Sequence, residues 1–195
     1  MFMSEPIRQV VEGRRADTVR RLLDATVAEL REVGFPALTV RSVARRAQVS
    51  PATAYTYFSS KEHLVTAVFW KKVQALPPAE RDRAGRPAED VAAVVRAIAL
   101  LLVDEPELAQ ACTLAMLTDH EEVRRLRDQI GREIYARLAD ALGADADPPA
   151  ERAVLTAFVG AMVLAGSGHL PFAEVADHLR EITETVLRRS PVKRR

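Results

Sequence analysis

Apolar residues recur at every third or fourth position along most of this chain, the spacing of amphipathic α-helices. The first apolar stripe predicts a helix from about Asp17 to Val33, and Gly34 is typical of a helix end. Few aromatic residues, with many Ala, Leu, Val and Arg, favour helices over sheets. We therefore predict an all-α chain of about nine helices: an N-terminal three-helix unit and a C-terminal helical domain.

Residues 39–64, TVRSVARRAQVSPATAYTYFSSKEHL, predict three short helices separated by tight turns. Thr39 and Ser50 are predicted N-caps, and Pro51 stands at a first helical position, where no amide donor is missed. The S-x-x-E pattern of residues 59–62 predicts a capping box for the third helix. Such a unit packs a small core and leaves one helix free to enter a DNA groove.

The middle helix of this unit, residues 50–57, carries little charge and is rich in small hydroxyls and tyrosines. Short polar side chains suit a close approach to base edges and phosphates. Tyr55 and Tyr57 lie two positions apart and cannot share a helix face, so at least one of them is expected to point outward. Phe58 is the better core residue.

An ordered string of residues near the N-terminus resembles the DNA-binding domain of the TetR family of bacterial transcriptional regulators. Its parts are Leu22-Leu23-Asp24-Ala25, Gly34-Phe35, Thr39-Val40-Arg41, Val43-Ala44, Ala47, Val49-Ser50, Thr53, Tyr55-Thr56-Tyr57-Phe58, Ser60-Lys61-Glu62 and Leu64. The resemblance covers residues 18–70, about a quarter of the protein. One departure is Gln48, where the family usually has Gly. If that turn needs a left-handed backbone, a residue other than glycine costs about 1 kcal/mol there.

The resemblance implies a set of DNA contacts. Arg41 is expected to reach a base or phosphate, with a solvated arginine as the alternative. Lys61 lies at a helix start, where its charge opposes the helix dipole, and a phosphate would relieve that conflict. The predicted DNA-binding residues are Thr39, Arg41, Ser50, Pro51, Ala52, Thr53, Tyr55, Tyr57 and Lys61.

Turn residues and prolines divide the chain into five parts. Residues 1–15 are predicted to be a flexible basic arm, residues 16–60 the helix-turn-helix domain, and residues 61–76 a connecting helix. Residues 77–88, rich in Pro and charge, are the predicted linker. Residues 89–190 are the expected effector-binding and dimerisation domain.

The last two predicted helices carry the argument for oligomerisation. Alanines recur every four residues on the first of them, and apolar residues repeat at alternating three and four on the second. The pattern alone fits burial within one chain as well as it fits a dimer. The resemblance favours a homodimer through these helices, and a twofold dimer implies a near-palindromic operator. The predicted interface residues are Ala153, Ala157, Gly160, Ala161, Phe172, Val175, Leu179, Ile182 and Val186.

The resemblance also implies a small-molecule effector site in the C-terminal domain. Met and Phe with few polar groups suit an apolar ligand, although each residue is also an ordinary core residue. His120 is included because it would orient such a ligand. The predicted lining residues are Leu102, Thr113, Met116, Leu117, His120, Ile130, Ile134, Phe158 and Met162.

Composition and motifs narrow the function further. The formal net charge of +1 hides an asymmetry, because residues 1–72 hold 12 Lys and Arg against 7 Asp and Glu, and the rest hold 16 against 20. That excess fits a domain that faces phosphates. Nucleotide-binding, metal-binding and paired-cysteine motifs are missing, so neither an enzyme, a cofactor nor a metal is expected.

Cellular location is predicted from the cysteine content and the apolar runs. A single Cys112 suits a reducing cytoplasm. The apolar stretch of residues 153–165 is too short for a membrane span, and no signal peptide is evident. We expect a cytoplasmic, ligand-responsive repressor that binds duplex DNA, has no membrane partner and is released from its operator by a small apolar molecule. The alternatives are a helical protein-interaction module and a nucleoid-type DNA binder without an effector.

Overall fold

The computed structural model describes residues 5–78 and 86–189 and is helical throughout, as the apolar spacing predicts. These described residues contain nine α-helices and one short 3-10 turn, Phe172–Glu174. The helices are α1 (Glu5–Ala37), α2 (Val40–Arg46), α3 (Pro51–Tyr57), α4 (Lys61–Gln74), α5 (Pro87–Leu100), α6 (Pro106–Met116), α7 (Glu121–Leu142), α8 (Pro148–Gly166) and α9 (Val175–Arg189). Residues 1–4 of the predicted arm and 79–85 of the predicted linker lie outside the described part.

The start of α1 corrects the predicted flexible arm, because residues 5–15 are helical and continue into the first helix. The only proline in this stretch, Pro6, stands in the first turn, where a helix tolerates it. Helix α1 is interrupted at the predicted end, because Gly34 leaves the helical conformation with φ of 70° and ψ of 169°, and helical residues resume up to Ala37. The backbone conformation there is one that glycine adopts without strain.

The caps of the three short helices follow the sequence with one exception. The Thr39 hydroxyl accepts from the Ser42 amide (2.9 Å), and Ser50 accepts from the Thr53 amide (3.1 Å). At the start of α4 the cap is Ser60, which accepts from the His63 amide (3.1 Å). The capping box predicted over residues 59–62 is therefore wrong, since the helix begins one residue later than that pattern requires.

Helix α4 joins the N-terminal unit to the rest of the molecule. Its contacts reach α1 on one side and α6 and α7 on the other. Six of its fourteen residues are buried, so it belongs to one hydrophobic core that runs from α1 to α9. Those six are Leu64, Val65, Thr66, Val68, Phe69 and Val73. A displacement of α4 would therefore disturb both halves of the protein.

Helices α5 to α9 form the C-terminal bundle. Helix α9 packs chiefly on α5 and α8, and α8 also contacts α6 and α7. By length and composition, α8 is the one described helix long and apolar enough to cross a membrane. Within its most apolar stretch of 18 residues, 28% is buried inside the protein. The sequence analysis judged residues 153–165 too short for a membrane span, but these residues are only part of α8, which has 19 residues. Much of the apolar surface of α8 therefore remains uncovered within one protomer.

Candidate nucleic-acid interface and ligand cavity

Helix α3 is anchored by a few apolar side chains and exposes the rest. Ala54 and the C-cap residue Phe58 are buried, whereas Tyr55 is 51% exposed. Tyr57 is half-buried and packs against the core, so only one of the two tyrosines points outward, as their spacing predicts. The other exposed residues here include Ser50, Pro51, Ala52, Thr53 and Thr56. The outward face therefore carries short side chains and hydroxyls, which allow a close approach to another surface.

A recess lies beside this face, between α2 and the start of α3. Two guanidinium groups and two hydroxyl groups line it, with no acidic side chain among its walls. Its residues are Thr39, Arg41, Ser42, Arg45 and Pro51. The recess offers hydrogen-bond donors and positive charge together, which is the chemistry that binds a phosphate oxygen.

The three arginines of α2 have different partners. Arg46 Nε lies 2.6 Å from Glu29 Oε2, and Arg46 also pairs with Glu32, so it ties α2 to α1. The hydrogen bond from Arg46 lowers the pKa of the buried Glu29 carboxyl. Within the described part of the chain, no carboxylate pairs with Arg41 or Arg45. These two guanidinium groups are therefore available to a ligand, whereas Arg46 is structural.

The turn between α2 and α3 confirms the expectation about Gln48. Its φ is 54°, and it is the only described residue besides glycine with a positive φ. Arg21 of α1 donates to the carbonyl oxygens of Ala47 and Gln48, the latter at 3.0 Å. A side chain from another helix thus stabilises the turn that sets the angle of α3.

The ammonium group of Lys61 is bound within the protein. Its Nζ donates to the carbonyl oxygens of Phe35 (2.9 Å) and Pro36 (3.2 Å). The same atom stands 4.5 Å from the centroid of the Phe35 ring. Two of the three ammonium hydrogens are therefore used, and one remains for a phosphate. The phosphate contact of Lys61 stays a prediction. The sequence did not indicate its second role, which is to hold the start of α4 against the end of α1.

The C-terminal bundle contains a cavity of about 270 Å³. Eight of the nine predicted effector-site residues line it, whereas His120 does not and is an exposed residue at the start of α7. The other eight lining residues were not predicted from the sequence. The spacing of apolar residues shows which helix faces are buried, but not which of those faces border a cavity. The eight residues are Phe69, Cys112, Arg127, Gly131, Leu155, Val159, Val163 and Phe172.

Three polar side chains face this otherwise apolar wall. The Thr113 hydroxyl donates to the Ala109 carbonyl (3.0 Å) within its own helix. Burial raises the pKa of the Cys112 thiol to about 12, so that thiol stays protonated at neutral pH. Arg127 Nη1 donates to the carbonyls of Met116 (2.7 Å) and Thr118 (3.3 Å) at the end of α6. The arginine thus fixes one edge of the cavity.

The predicted dimer interface needs correction. Val175, Leu179 and Ala161 are buried within the protomer, so these residues are not available on the surface, and the half-buried Phe172 lines the cavity. The apolar repeat of α9 faces α5 and α8, since one stripe cannot serve both its own bundle and a second chain.

Other members of the predicted interface do reach the surface of the protomer. Ala153 and Gly160 are exposed on α8, and Ala157, Ile182 and Val186 are half-buried. Three large apolar residues on the same helix were missed by the sequence argument. They are Val159 (53% exposed), Val163 (39%) and Leu164 (49%). The uncovered apolar surface of one protomer therefore lies mainly on α8.

Comparison with known families and relatives agrees with this architecture. Residues 22–68 match the family model described as "Bacterial regulatory proteins, tetR family". An uncharacterized HTH-type transcriptional regulator of Mycobacterium tuberculosis (strain ATCC 25618 / H37Rv) is 43% identical over 188 residues. That match covers 94% of this chain and 88% of the relative.

Two solved structures share the fold. A TetR transcriptional regulator from Rhodococcus sp. RHA1 has a TM-score of 0.70 and 23% identity, with 87% of this chain and 97% of that chain covered. Thermus thermophilus FadR, described as a TetR family transcriptional repressor in complex with lauroyl-CoA, has a TM-score of 0.62 and 19% identity. The match covers 91% of this chain and 97% of FadR. The likeness extends over both halves of the molecule.

Proposed function

This chain belongs to the TetR family of bacterial regulatory proteins, which are DNA-binding transcriptional regulators and not enzymes, and we propose that it is a cytoplasmic repressor released from its operator by a small molecule. Helix α3 would enter the major groove. The observation that carries this proposal is the outward face of α3, short and polar, beside the unpaired Arg41 and Arg45. Arginine positions the protein on phosphates, and side chains of α3 contact base edges.

The operator-bound form is a homodimer in this proposal. The exposed apolar face of α8, with Val159, Val163 and Leu164 at its centre, would be covered by the same face of a second copy. Small residues such as Ala153 and Gly160 on that face would let the two helices approach closely. A twofold dimer places two copies of α3 on one side of the duplex, which requires a near-palindromic operator.

The cavity is the proposed effector site. Phe69 of α4 lies in its wall, and Lys61 at the other end of α4 is bound to the turn before α2. A ligand that displaces Phe69 would therefore move α4 and the helix-turn-helix unit with it. A coupling free energy of about 3 kcal/mol is enough to weaken operator binding about 150-fold. The lauroyl-CoA bound by T. thermophilus FadR, which carries a twelve-carbon acyl chain, supports a ligand with an apolar chain here.

Substitutions on the DNA-facing surface test the assignment of contacts. Arg41→Gln removes an unpaired cation, and Tyr55→Phe removes only a hydroxyl from α3. Each variant is compared with Arg132→Gln, which removes an exposed charge from α7. We expect Arg41→Gln to weaken operator binding and to reduce the slope of log K against log salt by about one phosphate contact. Unchanged affinity for both variants would exclude the proposed surface.

The two alternative functions predict different behaviour in the same titration. A nucleoid-type binder would bind operator and scrambled duplexes equally, with a steep salt dependence in both cases. A protein-interaction module would bind neither duplex. Preference for the operator sequence, with release by a ligand, separates the proposed repressor from both.

A further inference from the structure

The wall of the cavity has one charged group. Thr113 uses its hydroxyl within its own helix, and Cys112 carries a protonated thiol. The guanidinium of Arg127 is therefore the only ionised group among the described lining residues. A purely apolar ligand would gain nothing from a cation at this position.

Arg127 retains donors for a ligand. Only its Nη1 atom is engaged, by the carbonyls of Met116 and Thr118. In the described part of the chain, no carboxylate forms an ion pair with Arg127. A guanidinium has five N–H donors in a rigid fork, so Nε and Nη2 can still bind an anion.

The same edge of the cavity is open to water. Arg127 is half-buried, and Gly131, one turn later on α7, is exposed and also lines the cavity. A Cβ added at Gly131 would meet no atom within 4 Å, so this turn of α7 leaves open space. One opening of the cavity thus lies beside the one cation, where Leu117 is 69% exposed, whereas the exposed Val159 and Val163 of α8 belong to the face that the proposed dimer would cover.

We propose that the effector is an amphipathic anion, whose apolar body fills the cavity and whose acidic group binds Arg127 at the opening beside Gly131. The inference rests on the proposed function, since it names the ligand class of the proposed effector site. A cavity of about 270 Å³ with a mainly apolar wall suits an acyl chain. A carboxylate or phosphate oxygen pair matches the guanidinium fork.

Binding of matched ten-carbon ligands tests the charge requirement. The probes are decanoate, the neutral decanol, and decanoyl-coenzyme A, each titrated below its micelle concentration by calorimetry into the full-length protein. We expect at least one of the two anions to bind about tenfold or more tighter than decanol, because hydrogen bonds to charged groups are the strong ones. Decanoate binding points to a free acid, and selective binding of the thioester points to a coenzyme A conjugate.

Variants assign the preference to Arg127. Arg127→Gln is expected to weaken binding of the anion about tenfold and to leave decanol within about twofold. Arg127→Lys keeps the charge without the fork and should give an intermediate loss, and Arg132→Gln on the same helix should bind like the wild type. A second variant, Gly131→Phe, is expected to block the opening and abolish binding of all three probes, with Gly131→Ala as its control.

Several results would overturn the proposal. They are equal binding of decanol and both anions, binding of none of the three, or an anion preference that survives Arg127→Gln. If Arg127→Gln unfolds because it loses the contacts to α6, the decanol comparison and Gly131→Phe decide the question instead. Specific operator binding with release by a neutral ligand would contradict the anionic class alone, whereas absence of operator binding would contradict the proposed function.

Discussion

Gln48 stands in the turn that sets the angle of α3, and its left-handed backbone conformation is one that glycine adopts more readily. The two hydrogen bonds from Arg21 to this turn compensate part of that strain. The sequence showed the position, because a family pattern with Gly implies a positive φ. It did not show Arg21, which lies 27 residues earlier and reaches the turn only in the folded protein.

Gln48→Gly is therefore expected to stabilise the protein. The gain in the free energy of unfolding should be about 0.5–1 kcal/mol, since relief of the left-handed strain exceeds the added chain entropy of glycine. Gln48→Ala is the matched control and should give no gain, because alanine meets the same backbone strain. Urea unfolding measures both, and equal stability of the two variants would show that the turn is unstrained.

Glu29 makes the stability of the N-terminal unit depend on pH. The hydrogen bond from Arg46 lowers the pKa of this carboxyl below its ordinary value of 4.5. Its contribution to stability is present above pH 4.5 and is lost as the pH falls through the lower pKa of the folded protein. We expect Glu29→Gln to be less stable than the wild type at pH 7, and the stability gap between the two to narrow as the pH falls below 4.5.

Urea unfolding at pH 7, 5 and 3 measures this difference. Asp128→Asn, which removes an exposed carboxyl from α7, is the control and should follow the wild type at every pH. A stability gap between Glu29→Gln and the wild type that stays constant down to pH 3 would contradict the assignment.

Helices α6 and α8 cross at close range beside the cavity. A Cβ on Gly166 would lie 1.8 Å from Thr113 Oγ1 and 3.0 Å from Thr113 Cβ. The two helices are so close at this point that only glycine fits on α8 without a shift of Thr113. Gly166→Ala is expected to reduce the free energy of unfolding by about 1–3 kcal/mol through overpacking.

The control for this substitution is Gly131→Ala, also within a helix. A Cβ there meets open space, so the change should stabilise by up to about 1 kcal/mol through helix propensity alone. Thermal unfolding of both variants measures the difference. Two equal shifts in melting temperature would show that α6 and α8 adjust freely.

An ion pair links α1 to α6. Arg31 Nε donates to Glu105 Oε2 (2.9 Å), and a second bond joins the same groups, so the contact is bidentate. Glu105 precedes α6, which lines the cavity through Thr113 and Met116, and Arg31 lies in the helix that supports the helix-turn-helix unit. The contact therefore connects the two functional regions by a second route besides α4.

Arg31→Met tests this connection. Because the arginine is largely exposed, we expect little change in stability, below about 1 kcal/mol. The ligand-induced loss of operator affinity should shrink by a factor of about 2–30, the range of coupling changes for residues between sites. The measurement is operator affinity with and without ligand, and an unaltered ratio of the two affinities would exclude a coupling role.

The sequence predicted where helices form, but it did not predict which helices pack against each other. The stripes of α4 and α7 and the caps at Thr39 and Ser50 follow from local spacing. The stripe of α9 was assigned to a dimer interface, yet it covers α5, because periodicity marks an apolar face without naming what covers it. Eight of the effector contacts predicted from the resemblance and the composition line the cavity, and Arg127 was missed because an arginine on an amphipathic helix ordinarily faces water.

The exposed apolar face of α8 is the surface of the molecule that a partner chain would cover. Leu164→Glu places a charge on this face at a residue that does not line the cavity. We expect the variant to be monomeric at micromolar concentration, because an unpaired charge in an apolar interface is strongly unfavourable. Light scattering after gel filtration measures the mass.

The control for Leu164→Glu is Ala136→Glu, an equivalent change on an exposed position of α7. It should remain dimeric and bind operator DNA, whereas monomeric Leu164→Glu should lose most of its operator affinity. A dimeric Leu164→Glu variant that binds DNA normally would place the interface elsewhere.

In the proposed function, this protein binds a specific operator and releases it on ligand binding. Fluorescence anisotropy with the duplex upstream of its own gene and with a scrambled duplex, at two salt concentrations and with or without decanoyl-coenzyme A, tests it most directly. We expect binding to the upstream duplex to be at least about 10³-fold tighter than to the scrambled one and to be weakened by salt and by the ligand. Equal affinity for both duplexes, or binding to neither, would contradict it.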